Sequence, residues 1–143
     1  MSQKDFQIGI KKIKDTEFFI DEQVDIKDIS QVSIGFELKI NINSDEKTIE
    51  MVFAVIYTNN IDNKIIFKIR TSNVFLIPEL LTYKKKEEVL FDLPDNMLIT
   101  LLGLSISHTR ALLAKNSNGT KFSDLNLPIV NPTDIYYKLF PKK

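Results

Sequence analysis

Val32-Ser33-Ile34-Gly35-Phe36-Glu37-Leu38-Lys39-Ile40-Asn41-Ile42 alternates apolar and small or polar residues without a break. Successive side chains of a strand point to opposite faces. Period two therefore places Val32, Ile34, Phe36, Leu38, Ile40 and Ile42 on one face, opposite Ser33, Gly35, Glu37, Lys39 and Asn41. Downstream, Ile49, Met51, Phe53, Val55 and Tyr57 repeat the pattern, with Val52, Ala54 and Ile56 making the second face apolar as well. Ile65, Phe67 and Ile69 then alternate with Ile66, Lys68 and Arg70. Upstream, Phe6, Ile8 and Ile10 alternate with Gln7, Gly9 and Lys11. Asn43-Ser44-Asp45-Glu46 and Asn59-Asn60-Ile61-Asp62-Asn63 are rich in residues that tolerate turn geometry. Short turns between consecutive strands predict an antiparallel meander, since parallel strands need long crossovers.

Two stretches escape the pattern. Asp15 to Ser30 reads as an extended piece, Phe18-Phe19-Ile20, followed by a loop, and Leu76 to Pro94 is irregular. After Pro94, Asp95 predicts a capped helix running to about Lys115. Its Met97, Leu98, Ile99, Leu101, Leu102, Leu104, Ile106, Ala111, Leu112, Leu113 and Ala114 occupy more than one face, and such a helix must be covered on more than one side. Gly103 marks a break or a close approach, and Asn118-Gly119 ends the helix. Asn131-Pro132 opens a last helix, with Ile135, Tyr136, Leu139 and Phe140 at helical spacing. The sum is one α+β domain over residues 1–143: a four-stranded antiparallel sheet, one long helix packed on it and a short C-terminal helix. A helix lying on a sheet buries one stripe, so the second stripe predicts another subunit or a ligand.

Composition excludes several functions. The 143 residues carry 19 basic and 19 acidic side chains and no net charge. Clustered positive charge for nucleic acid or an anionic membrane is lacking, and only Arg70 and Arg110 are arginines. No cysteine is present, so disulfides, thiolate catalysis and zinc-cysteine sites are excluded, in keeping with a cytoplasmic setting. Met1-Ser2-Gln3-Lys4-Asp5 lacks the layout of a secretory signal. The longest charge-free run, Asn96 to Thr109, is short and rich in Ser, Thr and Asn, so no membrane insertion is expected.

Candidate chemistry is sparse. His108 is the single histidine, and neighbouring Ser105 and Ser107 carry no nucleophile-elbow motif, so a structural role is expected. With one histidine and no cysteine, a transition-metal site would need several carboxylates, and the sequence shows no such cluster. Gly9, Gly35, Gly103 and Gly119 stand too far apart to cradle phosphate. The acidic pairs Asp21-Glu22, Asp45-Glu46 and Glu87-Glu88 fall in expected turns, and Lys84-Lys85-Lys86 reads as a solvated loop. No catalytic residue, metal site or cofactor is expected. Arg110, set among Leu, Ala and Ile, should pair with a carboxylate or backbone carbonyls as a structural tie within the chain or between subunits. The stretch Val74-Phe75-Leu76-Ile77-Pro78-Glu79-Leu80-Leu81 is strongly apolar where a plain loop would be polar. It either packs under the last helix or lines a groove.

The order of features from Ile106 to Phe140 carries a resemblance. A helix with Arg110 is followed by Phe122, then Leu125-Asn126-Leu127-Pro128-Ile129-Val130-Asn131-Pro132 and a last amphipathic helix. This is similar to the end of the SecB-type export chaperones, with Arg110 and Asn126 at matching spacing. Phe6-Gln7-Ile8, Lys14-Asp15 and Val52 to Phe75 resemble the family's earlier strands. Departures are Ser105-Ile106-Ser107-His108 in place of an aromatic, Pro-containing run, Lys68 where export chaperones carry an acid for the SecA motor, and Pro141-Lys142-Lys143 in place of an acidic tail. The last two argue against docking on SecA.

The resemblance implies a non-enzymatic holdase that binds unfolded or nascent polypeptides for protein export or a related task. It implies a homotetramer, a dimer of dimers with the long helices between two sheets. Clients would lie in surface grooves, held by apolar side chains and edge backbone groups. Candidate client-binding residues are Phe36, Phe67, Phe75, Leu76 and Ile77, together with Leu80, Leu81, Phe122, Tyr136 and Phe140. Candidate oligomer-interface residues are Phe6, Ile8, Ile10, Leu101, Leu102 and Arg110. The alternative is an oligomeric adaptor that binds one specific partner, such as an antitoxin in a toxin-antitoxin-chaperone system.

Overall fold

The computed structural model describes residues 7–24, 31–83, 92–123 and 127–141. Four antiparallel strands form one sheet: β1 (Gly9–Ile20), β2 (Val32–Asn43), β3 (Thr48–Asn59) and β4 (Ile65–Leu76). A 3-10 turn, Leu80–Tyr83, precedes the long helix α1 (Asp95–Ser117), and α2 (Pro132–Leu139) closes the fold. Both expected hairpins form. Lys47 and Asn63 take the left-handed conformation at their tips, with φ of 56° and 59°. The Asn43 and Asn59 side-chain carbonyls accept from Glu46 N–H (3.2 Å) and Ile61 N–H (2.9 Å), which holds each turn locally.

The strand order is β1-β4-β3-β2, so the meander covers β2 to β4 only and β1 pairs with the far edge of β4. This is a Greek-key arrangement, made possible by the long β1–β2 connection. β1 also joins what the sequence separated into two pieces. Its register with β4 shifts between Ile10 and Lys12 and again between Asp15 and Glu17. Each shift inserts a residue and resets the inside–outside alternation, which hides one strand from a period-two reading.

One face of the sheet carries Ile49, Met51, Phe53, Val55 and Tyr57 from β3 and Phe67, Ile69 and Phe75 from β4, all buried. α1 packs on β4, β3 and β1 and inserts Leu98, Leu101, Leu102, Ile106 and Leu113. Each such side chain, buried fully, contributes about 1.5–3 kcal/mol. Asp95 begins α1 and does not cap it: the preceding Pro94 makes no side-chain cap bond, and its carbonyl accepts from Met97 N–H (3.1 Å) and Leu98 N–H (3.2 Å). A first-turn carboxylate still complements the helix dipole, and Asp95 Oδ1 accepts from the Tyr136 hydroxyl (3.0 Å), tying α2 to the start of α1. Asn131 caps α2 as expected, its Oδ1 accepting from Thr133 N–H (2.9 Å), with Pro132 at the first helical position. Gly103 serves close approach: a Cβ there would sit 3.3 Å from Pro132 Cγ. By length and composition α1 could cross a membrane, yet it lies against the sheet through a seam with a polar centre.

Candidate interaction surface

The helix–sheet seam contains a connected set of buried polar groups. The inner row of β4 runs Phe67, Ile69, Thr71, Asn73, Phe75, so two polar residues interrupt it, and Ser105 and Thr109 interrupt the buried stripe of α1 at a four-residue spacing. Thr109 Oγ1 donates to the Ser105 carbonyl (2.7 Å), so the bond between the Thr109 and Thr71 hydroxyls (2.8 Å) takes its proton from Thr71. Asn73 Nδ2 donates to Thr71 Oγ1 (3.0 Å) and the Met51 carbonyl (3.1 Å), and Asn73 Oδ1 accepts from His108 Nδ1 (2.9 Å). Every buried hydroxyl and amide in the relay thus has a partner. His108 stacks on Phe75, and burial lowers its pKa below the ordinary 6.5. Its role here is structural. The seam was missed from sequence; two polar interruptions facing each other in adjacent elements are the signal that reveals it.

Arg110 meets the expectation of backbone partners. Its Nη2 donates to the Pro128 carbonyl (3.0 Å) and its Nε to that of Leu127 (3.4 Å), fastening the segment that leads into α2. Tyr57 lies in the core, its hydroxyl without a hydrogen-bond partner among the described residues. Burial pushes its pKa up to about 12, an effect the nearby Arg110 charge partly opposes.

The opposite face of the sheet is charge-compensated. Lys68 Nζ bonds Glu17 Oε1 (3.0 Å), and Arg70 bridges Glu17 (3.4 Å) and Glu37 (3.2 Å). The Lys68 hydrogen bond is the main cause holding the Glu17 carboxyl below its ordinary range. Glu50 is likewise lowered, by bonds from Ser72 and from Asn41. Among the described residues no group of three or more His, Asp or Glu is placed to hold a metal ion. Lys84 to Glu88 and Phe6 lie outside the described residues.

The expected client-binding residues divide sharply. Phe67, Phe75, Ile77, Leu80, Phe122 and Tyr136 are sealed in the chain's own core. Leu76 (40%), Leu81 (49%) and Phe140 (40%) are exposed, and Phe36 is half-buried and stacked on Phe53. Of the expected interface residues, Leu101 and Leu102 are buried against the sheet, while Ile8 is half-buried and Ile10 exposed. The stretch from Val74 to Leu81 is both things the sequence allowed: Phe75, Ile77 and Leu80 anchor it inward, and Leu76 and Leu81 face out.

The apolar surplus also sits elsewhere than the sequence placed it. The far side of α1 presents Thr100, Ser107, Ala111 and Ala114, with Leu104 half-buried, so small residues occupy much of the second stripe. Larger apolar side chains emerge where the sheet extends beyond α1. Ile10, Ile13 and Phe18 on β1 and Ile34 and Ile42 on β2 are exposed on the helix-side face. Ile129 stands 96% exposed on the segment that Arg110 holds.

No protein-family model and no curated protein matches the chain. Among solved structures the fold is similar to the Mycobacterium tuberculosis SecB-like chaperone Rv1957, solved in complex with a ChAD peptide from the Rv1956 HigA1 antitoxin. The TM-score is 0.50 at 9% sequence identity, over 86% of this chain and 87% of that one. At that identity the likeness speaks for the fold: four antiparallel strands, one long helix and a short C-terminal helix, in a SecB-like arrangement.

Proposed function

We propose that this protein is a non-enzymatic holdase that binds unfolded or nascent polypeptides in the cytoplasm and keeps them from aggregating, acting as a homo-oligomer and, by the SecB resemblance, a tetramer. The observation that carries this reading is the apolar surface left on the helix-side face of both edge strands, with Leu76, Leu81 and Phe140 beyond it. Large apolar side chains exposed along both edges of a small domain mark binding surface. Folded proteins conceal such partners and unfolded ones display them, so the chemistry selects state over sequence. In this reading Leu81, Phe140, Leu76 and Phe36 touch the client. Ile8, Ile10 and the small-residue side of α1 serve assembly. The neutralised Lys68–Glu17–Arg70 face offers little to a motor that docks on acidic residues.

The test is light scattering of a chemically denatured polypeptide diluted into buffer with this protein at equimolar subunits. Aggregation slows several-fold, and Leu81→Asp with Phe140→Asp removes most of that effect. Absence of both retarded aggregation and a complex with a permanently unfolded polypeptide would sink the holdase reading.

A second reading follows from the peptide in the similar structure: an adaptor devoted to one antitoxin-like partner. Recovery of a single stoichiometric partner, with indifference to denatured polypeptides, decides for it.

A further inference from the structure

Asn118-Gly119, the dipeptide that ends α1, carries a reactivity that its capping role does not use. An asparagine can be cyclised by its own chain, which is one reason it is thermolabile. The main-chain nitrogen of the next residue attacks the side-chain carbonyl carbon, and a glycine in that position offers the least hindrance because it has no Cβ. A fold restrains the reaction in two ways. It can bind the side-chain amide in a hydrogen bond, or it can bind the N–H that must act as nucleophile.

The other described asparagines each carry one restraint or the other. Asn41 and Asn116 donate to the carboxylates of Glu50 and Asp15, and Asn43 and Asn59 accept main-chain N–H groups in their turns. Asn96 and Asn131 do the same at the helix starts, Asn60 is held by Ser33, and Asn73 lies in the buried relay. Asn63 is followed by Lys64, whose N–H donates to Asp62 Oδ1 (3.0 Å). At Asn118-Gly119 neither the side-chain amide nor the following N–H has a hydrogen-bond partner among the described residues. Both residues are exposed, and open space surrounds the position a Gly119 Cβ would take.

We propose that Asn118 is a site of spontaneous deamidation, gated by the turn that follows α1. Gly119 N gives up its proton and bonds to Asn118 Cγ; the Cγ–Nδ2 bond breaks and Nδ2 leaves with that proton as ammonia, giving a succinimide. Water then opens the ring at either carbonyl carbon and yields aspartate or isoaspartate, with no change of oxidation state. The gate is geometric. With ψ at 131°, Asn118 turns Gly119 N away from its own side chain, so closure requires that peptide plane to rotate. Gly119, at φ 82°, tolerates the change. Thr120 opposes it, because its N–H and Oγ1 both donate to the Ser117 carbonyl (3.0 and 2.7 Å) and its Oγ1 accepts from Phe122 N–H (3.2 Å). Ser117 and Phe122 are buried, so the turn is anchored at both ends. Either product strains it. Aspartate places negative charge at the C-terminal end of α1, against the helix dipole, and isoaspartate lengthens the main chain by one carbon between the anchors. Neither product depends on client binding or assembly.

The test ages the full chain at mildly alkaline and at mildly acid pH and maps its peptides by mass spectrometry. Asn118 should lose its amide before any other asparagine, several-fold faster in base, and the product should include isoaspartate that an isoaspartyl methyltransferase labels. Thr120→Val keeps the main-chain bond to Ser117 and removes both hydroxyl bonds, so it should react several-fold faster than the parent chain. Gly119→Ala should react several-fold slower. An Asn118 that outlasts the other asparagines overturns the site. Aspartate without isoaspartate overturns the cyclic route, since direct hydrolysis gives aspartate alone. An unchanged rate in Thr120→Val, with the chain folded by circular dichroism, overturns the gate.

Discussion

Thr71 of the central strand β4 and Thr109 of α1 share a hydroxyl–hydroxyl hydrogen bond of 2.8 Å in a seam that admits no solvent to either residue. It is the midpoint of a directed relay from His108 through Asn73, Thr71 and Thr109 to the Ser105 carbonyl. An isolated neutral hydrogen bond contributes about 1 kcal/mol, while a buried partner left unsatisfied costs about 1–3 kcal/mol. Thr109→Val should therefore destabilise by about 1–2 kcal/mol, because Thr71 loses its nearer acceptor and keeps only the Phe53 carbonyl at 3.4 Å. Thr71→Val with Thr109→Val should cost less than the sum of the single changes. Denaturant unfolding of the four chains measures the coupling; strict additivity would show that the two hydroxyls do not act together.

The histidine end of the same relay predicts a pH dependence. Burial lowers the His108 pKa below 6.5, so the unfolded chain binds the proton more readily than the folded one. Stability is complete above about pH 6.5 and falls as pH drops from there toward the folded value. The lowered carboxyls of Glu17 and Glu50 act in a different window, giving stability that is lost only as pH falls below their ordinary 4.5. Thermal melts between pH 7.5 and 5 should show a declining midpoint, and His108→Gln should flatten that decline. An unchanged slope in the variant would place the effect elsewhere.

Two tyrosines with similarly raised pKa values should respond oppositely to loss of the hydroxyl. The Tyr57 hydroxyl is buried without a partner among the described residues, whereas that of Tyr136 donates to Asp95 Oδ1 at 3.0 Å. Tyr57→Phe removes an unsatisfied group and should raise stability by about 1 kcal/mol; Tyr136→Phe breaks a bond to a charged acceptor and should lower it by about 1.5 kcal/mol. Both phenols are pushed up to about 12, so each costs the folded state stability as pH rises from 10 toward 12. Alkaline unfolding followed by tyrosinate absorbance checks this, and Tyr57→Phe should move its onset to higher pH.

Much of this architecture can be read directly from residue spacing. The alternation from Val32 to Ile42, the turn residues around Asn43 and Asn59 and the Asn131-Pro132 start of α2 are local signals, each with a local cause. Long-range effects escape such a reading. The bulges of β1 break the inside–outside alternation that would have joined Ile10 to Phe18, and the pairing of β1 with β4 depends on a connection without local pattern. The surface reads least well, because Phe67, Phe75 and Leu81 are equally apolar and only packing separates the two that are sealed from the one that is exposed. Arg110 was legible for a general reason: an arginine among apolar neighbours must find acceptors.

Those acceptors make the last prediction. Arg110 holds the Leu127 and Pro128 carbonyls at 3.4 and 3.0 Å, just ahead of the start of α2 at Pro132. α2 is also held on α1 by Pro132 against Gly103 and by the Tyr136 and Tyr137 hydroxyls on Asp95. Arg110→Ala leaves two carbonyls without their charged donor and should destabilise by about 2–3 kcal/mol. The loss should be local as well as global. Amide hydrogens of Ile135 to Phe140 should exchange faster, while those of β3 keep their protection apart from the overall shift, because α2 opens as a unit separate from the sheet. Arg110→Lys keeps the charge but offers a point donor where the guanidinium serves two carbonyls, so it should recover only part of the protection. Equal acceleration of exchange in α2 and β3 would instead make Arg110 a general core residue, with no special hold on the segment that carries Ile129 and Phe140.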